Sequence, residues 1–175
     1  FNFETDIVQA EEVDNDTLNA LDPNLTPFFD QGGKLISYHG WSDPQISPAN
    51  ATQYYQRVVS EVGGADTVHD SYRLFMAPGM GHCGGGEGPS VFDKMAPIEA
   101  WVEEGQAPDM IVGYHPEEMP SGTRSATGYA EANTSVPDSY TFTRPHYPYP
   151  LQARYKGSGD PNDYRSFEPV EPERR

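Results

Sequence analysis

The apolar residues of this chain fall into short runs with two different spacings, and Gly or Pro marks the ends of most runs. The run KLISYHG is continuous and lies between Gly residues, which is typical of a buried strand. The next segment, SPANATQYYQRVVSEVGG, predicts a helix with Ser47 as N-cap, Pro48 at the first helical position and two Gly residues at its end. Its apolar face would comprise Tyr54, Tyr55, Val58, Val59 and Val62.

The following segments continue this alternation of strands and helices. YRLFMAP predicts a second strand, and DMIVGYH predicts a short last strand. Between them, SVFDKMAPIEAWVEEG predicts a helix that starts late or kinks at Pro97. A further short helix is predicted within PNLTPFFDQGG. The predicted face of the helix between the strands consists of Phe92, Met95, Ile98, Trp101 and Val102.

This order of elements favours an α/β fold, with a parallel sheet covered by helices. We expect residues 1–165 to form part of one such domain. From about Pro116 the periodicity fades, so we expect this part to wrap around the surface as a loop-rich segment. The last residues, 166–175, are rich in Pro and Glu and predict a disordered tail.

Composition limits the partners and the compartment. The 175 residues carry a formal net charge of -16, which argues against binding to nucleic acid or to an anionic membrane surface. Asn-X-Ser/Thr triplets, which favour a secreted and glycosylated protein, occur at Asn15, Asn24, Asn50 and Asn133. The chain starts at Phe1 rather than Met, and we interpret it as a fragment or a processed chain. We find no spacing typical of a zinc or calcium site and predict no metal.

Two chemically capable side chains follow the first two predicted strands. Asp43 comes shortly after KLISYHG, and His82 comes shortly after YRLFMAP. Since parallel strands end at the same edge of a sheet, these side chains can meet there, as the acid and base of a hydrolytic triad do. The alternatives are turn formation by Asp43 before Pro44 and a solvated His82 in a glycine-rich loop.

The nucleophile and the partner of the only Cys are both open questions at this point. No Gly-X-Ser-X-Gly motif occurs, so the serine of such a triad would lie outside this chain. Cys83 cannot form an internal disulfide because it is the only Cys. It is therefore a buried free thiol or is bonded to another segment or chain.

Three blocks of the sequence carry a family resemblance. GGKLISYHGWSDPQISPANATQYYQRV, FMAPGMGHCGGGEGPSVFDKMAPIEAWVEEGQAPD and ARYKGSGDPND resemble successive blocks of the tannase and feruloyl esterase family. The resemblance implies the C-terminal portion of an α/β-hydrolase fold, with the nucleophile segment and a large lid domain absent. It implies Asp43 as the triad acid and His82 as the triad base.

The resemblance also implies a role for Cys83 and a substrate class. Cys83 would be bonded to a Cys that precedes the nucleophilic Ser in the missing N-terminal part, which would also carry the lid. The implied reaction is hydrolysis of plant-derived phenolic esters of the ferulic or caffeic type, and this chain alone would be inactive. No cofactor is implied in the chain, although lids of this family can bind calcium.

Several alternatives remain open. The substrate could be a gallate ester, as for a tannase, or the chain could be a non-catalytic binding subunit of the same fold. A further possibility is a fragment linked to an intact partner chain through Cys83. Trp41 would either border the aromatic substrate or pack against the sheet, and His39 is interpreted as a buried histidine at the end of a strand rather than a second catalytic one.

Overall fold

The protein is described from a computed structural model that covers residues 1–15, 17–82, 84–118 and 136–173. In chain order, its elements are α1 (Asp6–Asp14), α2 (Thr26–Phe29), β1 (Leu35–Gly40), α3 (Pro48–Val62), α4 (Ala65–His69), β2 (Tyr72–Ala77), α5 (Met95–Glu104), β3 (Ile111–Pro116), β4 (Tyr140–His146), β5 (Gln152–Tyr155), a short 3-10 helix (Tyr164–Ser166) and β6 (Phe167–Val170). No helix in these ranges is long and apolar enough to cross a membrane.

The centre of the fold is a parallel pair of strands. β1 and β2 pair in parallel, from Leu35 opposite Tyr72 to Gly40 opposite Ala77. Alternate residues of a strand point to opposite faces, and β2 is apolar on both of its faces. One face packs with α3 and α4 in a core cluster of Tyr55, Val58, Val68, Tyr72, Leu74 and Met76. The other face belongs to a second cluster, made of Phe75, Ala77, Met80, Phe92 and Ile111.

The helix between these strands forms as its end signals predict. Ser47 is the N-cap residue of α3 and Pro48 lies in its first turn, although the Ser47 side chain makes no capping hydrogen bond. At the other end, Gly63 adopts a left-handed conformation with φ of 106°, which Gly tolerates better than other residues. The predicted apolar face is confirmed: Tyr55 and Val58 are buried, and the other predicted residues pack around the same cluster.

The second predicted helix is shorter than its segment. α5 begins only at Met95, which confirms the late start and leaves Pro97 in the first turn. Its predicted apolar face is largely wrong, since Trp101 is its only buried residue, while Met95 and Val102 are exposed. Phe92 is buried, but it lies before the helix and joins the second core cluster.

The last predicted strand, β3, does not continue the parallel sheet of β1 and β2. β3 forms, but it pairs antiparallel with β4, with Ile111 opposite His146. β4 comes from the segment that we expected to be loops. Its Thr and aromatic residues favour extended backbone, and the His115 ring stacks on Phe142 with centroids 4.8 Å apart.

The prediction of a disordered tail over 166–175 is wrong for Phe167–Val170, because these residues form β6. β6 pairs antiparallel with β5, and Arg154 forms an ion pair with Glu168 across the two strands at 2.6 Å. The Phe167 ring also packs beneath the Arg144 guanidinium, 4.7 Å from the ring centre. These contacts order a segment whose composition alone indicates disorder.

Candidate active site

The loops that follow β1 and β2 are joined by their backbones. The N–H of Trp41 donates to the carbonyl of Ala77 at 3.0 Å, and the N–H of Ser42 donates to that of Met80 at 3.1 Å. Gly40 allows this close approach, because a Cβ on it would collide with the Met80 carbonyl. The two loops are therefore held in contact independently of their side chains.

The glycine-rich segment after β2 folds back on itself. The N–H of Gly81 donates to the carbonyl of Gly85 at 3.2 Å, and the N–H of Gly88 donates to that of Gly79 at 3.1 Å. Gly86 has a φ of +84°, and a Cβ there would collide with the Gly79 carbonyl. The glycines thus let the chain turn tightly around the position of His82.

The two loops bring Asp43 and His82 together. Asp43 Oδ2 lies 2.9 Å from His82 Nδ1, within hydrogen-bond distance. The carboxylate is buried, with only 3 % of its side chain exposed, whereas His82 keeps 37 % of its side chain exposed. The acid is therefore shielded, and part of the imidazole is open to a reacting group from outside these loops.

Three further groups surround the Asp43 carboxylate. Its Oδ1 accepts the backbone N–H groups of Gln45 at 2.8 Å and Ile46 at 3.0 Å. Burial raises the pKa of Asp43, but the hydrogen bonds from Ile46, Gln45 and His82 outweigh it and lower the pKa to about 2. The third is His39, whose Nε2 lies 3.2 Å from Asp43 Oδ2 and makes its hydrogen bond with the Ile46 carbonyl. Sequence reasoning placed His39 at a strand end but missed this contact.

The protonation of His82 follows from these contacts. Asp43 is ionised at neutral pH, so its oxygens only accept hydrogen bonds, and His82 Nδ1 must carry a proton to donate one. In a neutral imidazole, the lone pair then lies on Nε2. A carboxylate that fixes the tautomer in this way prepares the imidazole to act as a general base.

Trp41 lies close in sequence to this pair and is 48 % exposed. It lines a cavity of about 300 Å³ together with Met76, Pro78, Pro145, His146, Tyr147, Tyr149, Pro150, Leu151, Gln152 and Ala153. Neither Asp43 nor His82 is among these lining residues. The role of Trp41 at a substrate border stays a prediction.

The other predicted site residues divide into two groups. Asn15, Asn24 and Asn50 are exposed at the surface, as a glycan would require, and their glycosylation stays a prediction. Cys83 and Asn133 lie outside the described residues. Across the described ranges, no group of three or more His, Cys, Asp or Glu side chains is arranged to hold a metal ion.

Comparisons with known proteins find several relatives of the chain. The chain is 41% identical over 159 residues to the mono(2-hydroxyethyl) terephthalate hydrolase of Piscinibacter sakaiensis, covering 91% of this chain and 23% of that protein. It is 39% identical over 148 residues to a probable feruloyl esterase of Arthroderma benhamiae, covering 83% of this chain and 24% of the other. The crystal structure of an esterase from Aspergillus oryzae matches with a TM-score of 0.73 and 30% identity, over 97% of this chain and 33% of that one.

The chain thus spans about a quarter of the length of the two curated relatives. Its fold is that of esterases of the tannase and feruloyl esterase type, an α/β-hydrolase-like architecture. The family profile named tannase and feruloyl esterase matches residues 4–170. With this match over most of its length, the chain belongs to the tannase and feruloyl esterase family.

Proposed function

We propose that the chain is the acid–base part of a serine carboxylic ester hydrolase that releases aromatic acids from their esters. The observation that carries this proposal is the contact of 2.9 Å between the buried Asp43 carboxylate and the partly exposed His82 ring. Asp43 also forms the turn expected before Pro44, through Oδ1, but turn formation does not account for the contact of its Oδ2 with a histidine on another loop. The family of the chain supports ester hydrolysis as the reaction.

The proposed mechanism uses the two nitrogens of His82 differently. A serine hydroxyl attacks the ester carbonyl and transfers its proton to His82 Nε2, forming an imidazolium and a tetrahedral intermediate. Asp43 stabilises the imidazolium through Nδ1–H. The C–O bond to the alcohol then breaks, and the alcohol leaves with the proton from Nε2. Water repeats the sequence on the acyl-serine, releasing the acid and restoring the serine.

The serine, the oxyanion hole and the lid would come from an N-terminal part of the same protein. We propose that Cys83 forms a disulfide with the Cys that precedes this serine. A disulfide holds two Cα atoms roughly 4.4–6.8 Å apart, so it would keep the serine within reach of the neighbouring His82. Non-reducing and reducing electrophoresis of the native protein, with Cys83→Ala as the comparison, tests this link.

For the substrate, we propose phenolic esters of the ferulic or caffeic type from plant cell walls, with Trp41 bordering the aromatic ring. One relative is named a probable feruloyl esterase and another a mono(2-hydroxyethyl) terephthalate hydrolase, and both names refer to esters of aromatic acids. Gallate esters are the alternative substrate. The exposed sequons and the acidic composition support secretion.

The test is hydrolysis by the complete protein that carries residues 1–175, with methyl ferulate, methyl gallate and mono(2-hydroxyethyl) terephthalate as substrates. His82→Ala should lower kcat by about 10³-fold or more, because the serine hydroxyl would lose the base that accepts its proton. His115→Ala is a control, since this histidine contacts the Gly88 carbonyl at 3.0 Å rather than Asp43. Activity retained in His82→Ala would contradict the proposal, and a complete protein inactive on all three esters would favour a binding subunit.

A further inference from the structure

His39 is a second histidine on the Asp43 carboxylate. Its Nε2 lies 3.2 Å from Asp43 Oδ2, the same oxygen that faces His82 Nδ1 at 2.9 Å. The same Nε2 also lies 3.1 Å from the carbonyl oxygen of Ile46. His39 therefore contacts both the carboxylate and the backbone of the turn that holds it.

The proton on His39 can be assigned from these partners. A carbonyl oxygen and an ionised carboxylate only accept hydrogen bonds, so Nε2 must carry a hydrogen and donate it. The Nε2–H donates to the Ile46 carbonyl, and Nε2 also lies close to Asp43 Oδ2. An imidazole with its proton on Nδ1 alone would instead direct a lone pair at two acceptors.

The contact completes a ring of interactions around the turn at residues 43–46. Asp43 Oδ1 accepts the N–H of Ile46, and His39 donates to the carbonyl of that same residue. The turn is thereby held at both the N–H and the carbonyl of Ile46, and Asp43 Oδ1 is fixed before any contribution from His82. His39 itself is anchored in β1, opposite Met76, and its side chain is only 17 % exposed.

We infer that His39 is a positioning residue: through its Nε2–H donor to the Ile46 carbonyl, it holds the turn at residues 43–46 so that the Asp43 carboxylate stays in line with His82. This inference rests on the proposed function. If the turn at residues 43–46 were free to shift, Oδ2 would face His82 Nδ1 for only part of the time. His39 acts through Asp43 and does not touch the reacting atoms.

The test compares variants of His39 in the complete protein. His39→Gln keeps an N–H donor close to the place of Nε2, because the Gln side-chain nitrogen is as many bonds from the backbone as that atom. His39→Phe keeps the ring volume without a donor, and His39→Leu is a second donor-free variant should the Phe ring misfit. His69→Phe is the matched control, since His69 is a partly buried histidine at the end of α4 without a hydrogen bond from Nε2 in the described structure.

The measured quantities are KM and kcat, with kcat expressed per active site. The active sites are counted by stoichiometric reaction with a serine-reactive organophosphate. The donor-free variants should lose about 10- to 100-fold in kcat with little change in KM, while His39→Gln and His69→Phe stay within a few-fold of the parent. Rescue by Gln separates hydrogen bonding from a purely structural role, which would reduce the number of titrated sites and leave kcat per site unchanged.

Two outcomes overturn the inference without affecting the proposed function. The first is an equal loss of kcat per site in His39→Gln and His39→Phe, and the second is an unchanged kcat per site in the donor-free variants. In both cases His82→Ala is inactive. An active His82→Ala would instead contradict the proposed function itself.

Discussion

Replacing Asp43 by Asn changes one atom of the buried carboxylate, and the surrounding donors decide the outcome. The backbone N–H groups of Gln45 and Ile46 require an acceptor at the position of Oδ1, so the amide oxygen of Asn must stay there. The amide NH₂ then takes the position of Oδ2, facing His82 Nδ1 and His39 Nε2. At the contact with His82, a donor then meets a donor.

The size of the expected loss in kcat follows from the contact with His82. His82 relieves its conflict by moving its proton to Nε2, so that Nδ1 accepts from the amide, but Nε2 then has no lone pair for the serine proton. Returning to the productive tautomer loses one hydrogen bond and restores one conflict between donors. Each of these corresponds to about a 10- to 100-fold factor, so we expect kcat to fall by about 10²- to 10⁴-fold. KM should change little, because the proton moves only in the transition state.

The assay is steady-state hydrolysis of methyl ferulate by the complete protein, with folding checked by thermal unfolding. Asp93→Asn is the matched control: Asp93 Oδ1 accepts the N–H groups of Met95 and Ala96 at 2.9 and 3.1 Å, in the same turn geometry as Asp43. The control should keep full activity. If Asp43→Asn were equally active, the assignment of Asp43 as the acid partner of His82 would be wrong.

Two further predictions concern backbone contact and pH. Gly40→Ala places a Cβ against the Met80 carbonyl and should separate the two loops, so we expect kcat to fall at least about 10-fold and the unfolding temperature to fall as well. The control is Gly105→Ala at the end of α5, where a Cβ meets open space but the backbone has a positive φ. This variant should lower the stability and leave kcat unchanged. Steady-state kinetics and thermal unfolding of both variants check this, and a fully active Gly40→Ala would contradict it. Burial lowers the pKa of His146 to about 4, against a hydrogen bond with the Pro89 carbonyl that raises it. From pH 6.5 down to 4, the unfolded chain therefore binds a proton that the folded chain does not, and the free energy of unfolding should fall by about 2 kcal/mol between pH 7 and pH 5. Urea unfolding should show a smaller pH dependence in His146→Gln, and equal dependence in both proteins would refute the assignment.

The parts of the fold that local sequence specifies were the parts that could be predicted. β1, α3 and β2 each carry their own apolar pattern and their own Gly or Pro boundaries. Because β1 and β2 are parallel, the residues after them meet at one edge, and the sequence therefore predicted that Asp43 and His82 lie close together.

The parts that depend on distant partners could not be read in this way. β3 pairs with β4, and β5 with β6, so each strand is stabilised by residues elsewhere in the chain. The pattern of the C-terminal part is weak, and only the pairing makes it regular. α1 shows the opposite case, since none of its residues is buried and no apolar face indicates it. His39 was missed because its contact depends on how the turn at residues 43–46 folds.

The contact between the two loops depends on the main-chain atoms of Trp41 and Ser42, which donate hydrogen bonds to the carbonyls of Ala77 and Met80, and not on the side chains of these residues. Both residues contribute their N–H groups to the junction, while their side chains remain exposed at the surface. Under the proposed function, we expect exchanges of these two side chains to change the preferred ester while the main-chain contacts between the loops are kept. The main-chain atoms of these residues would then preserve the reaction, and their side chains would set the substrate preference.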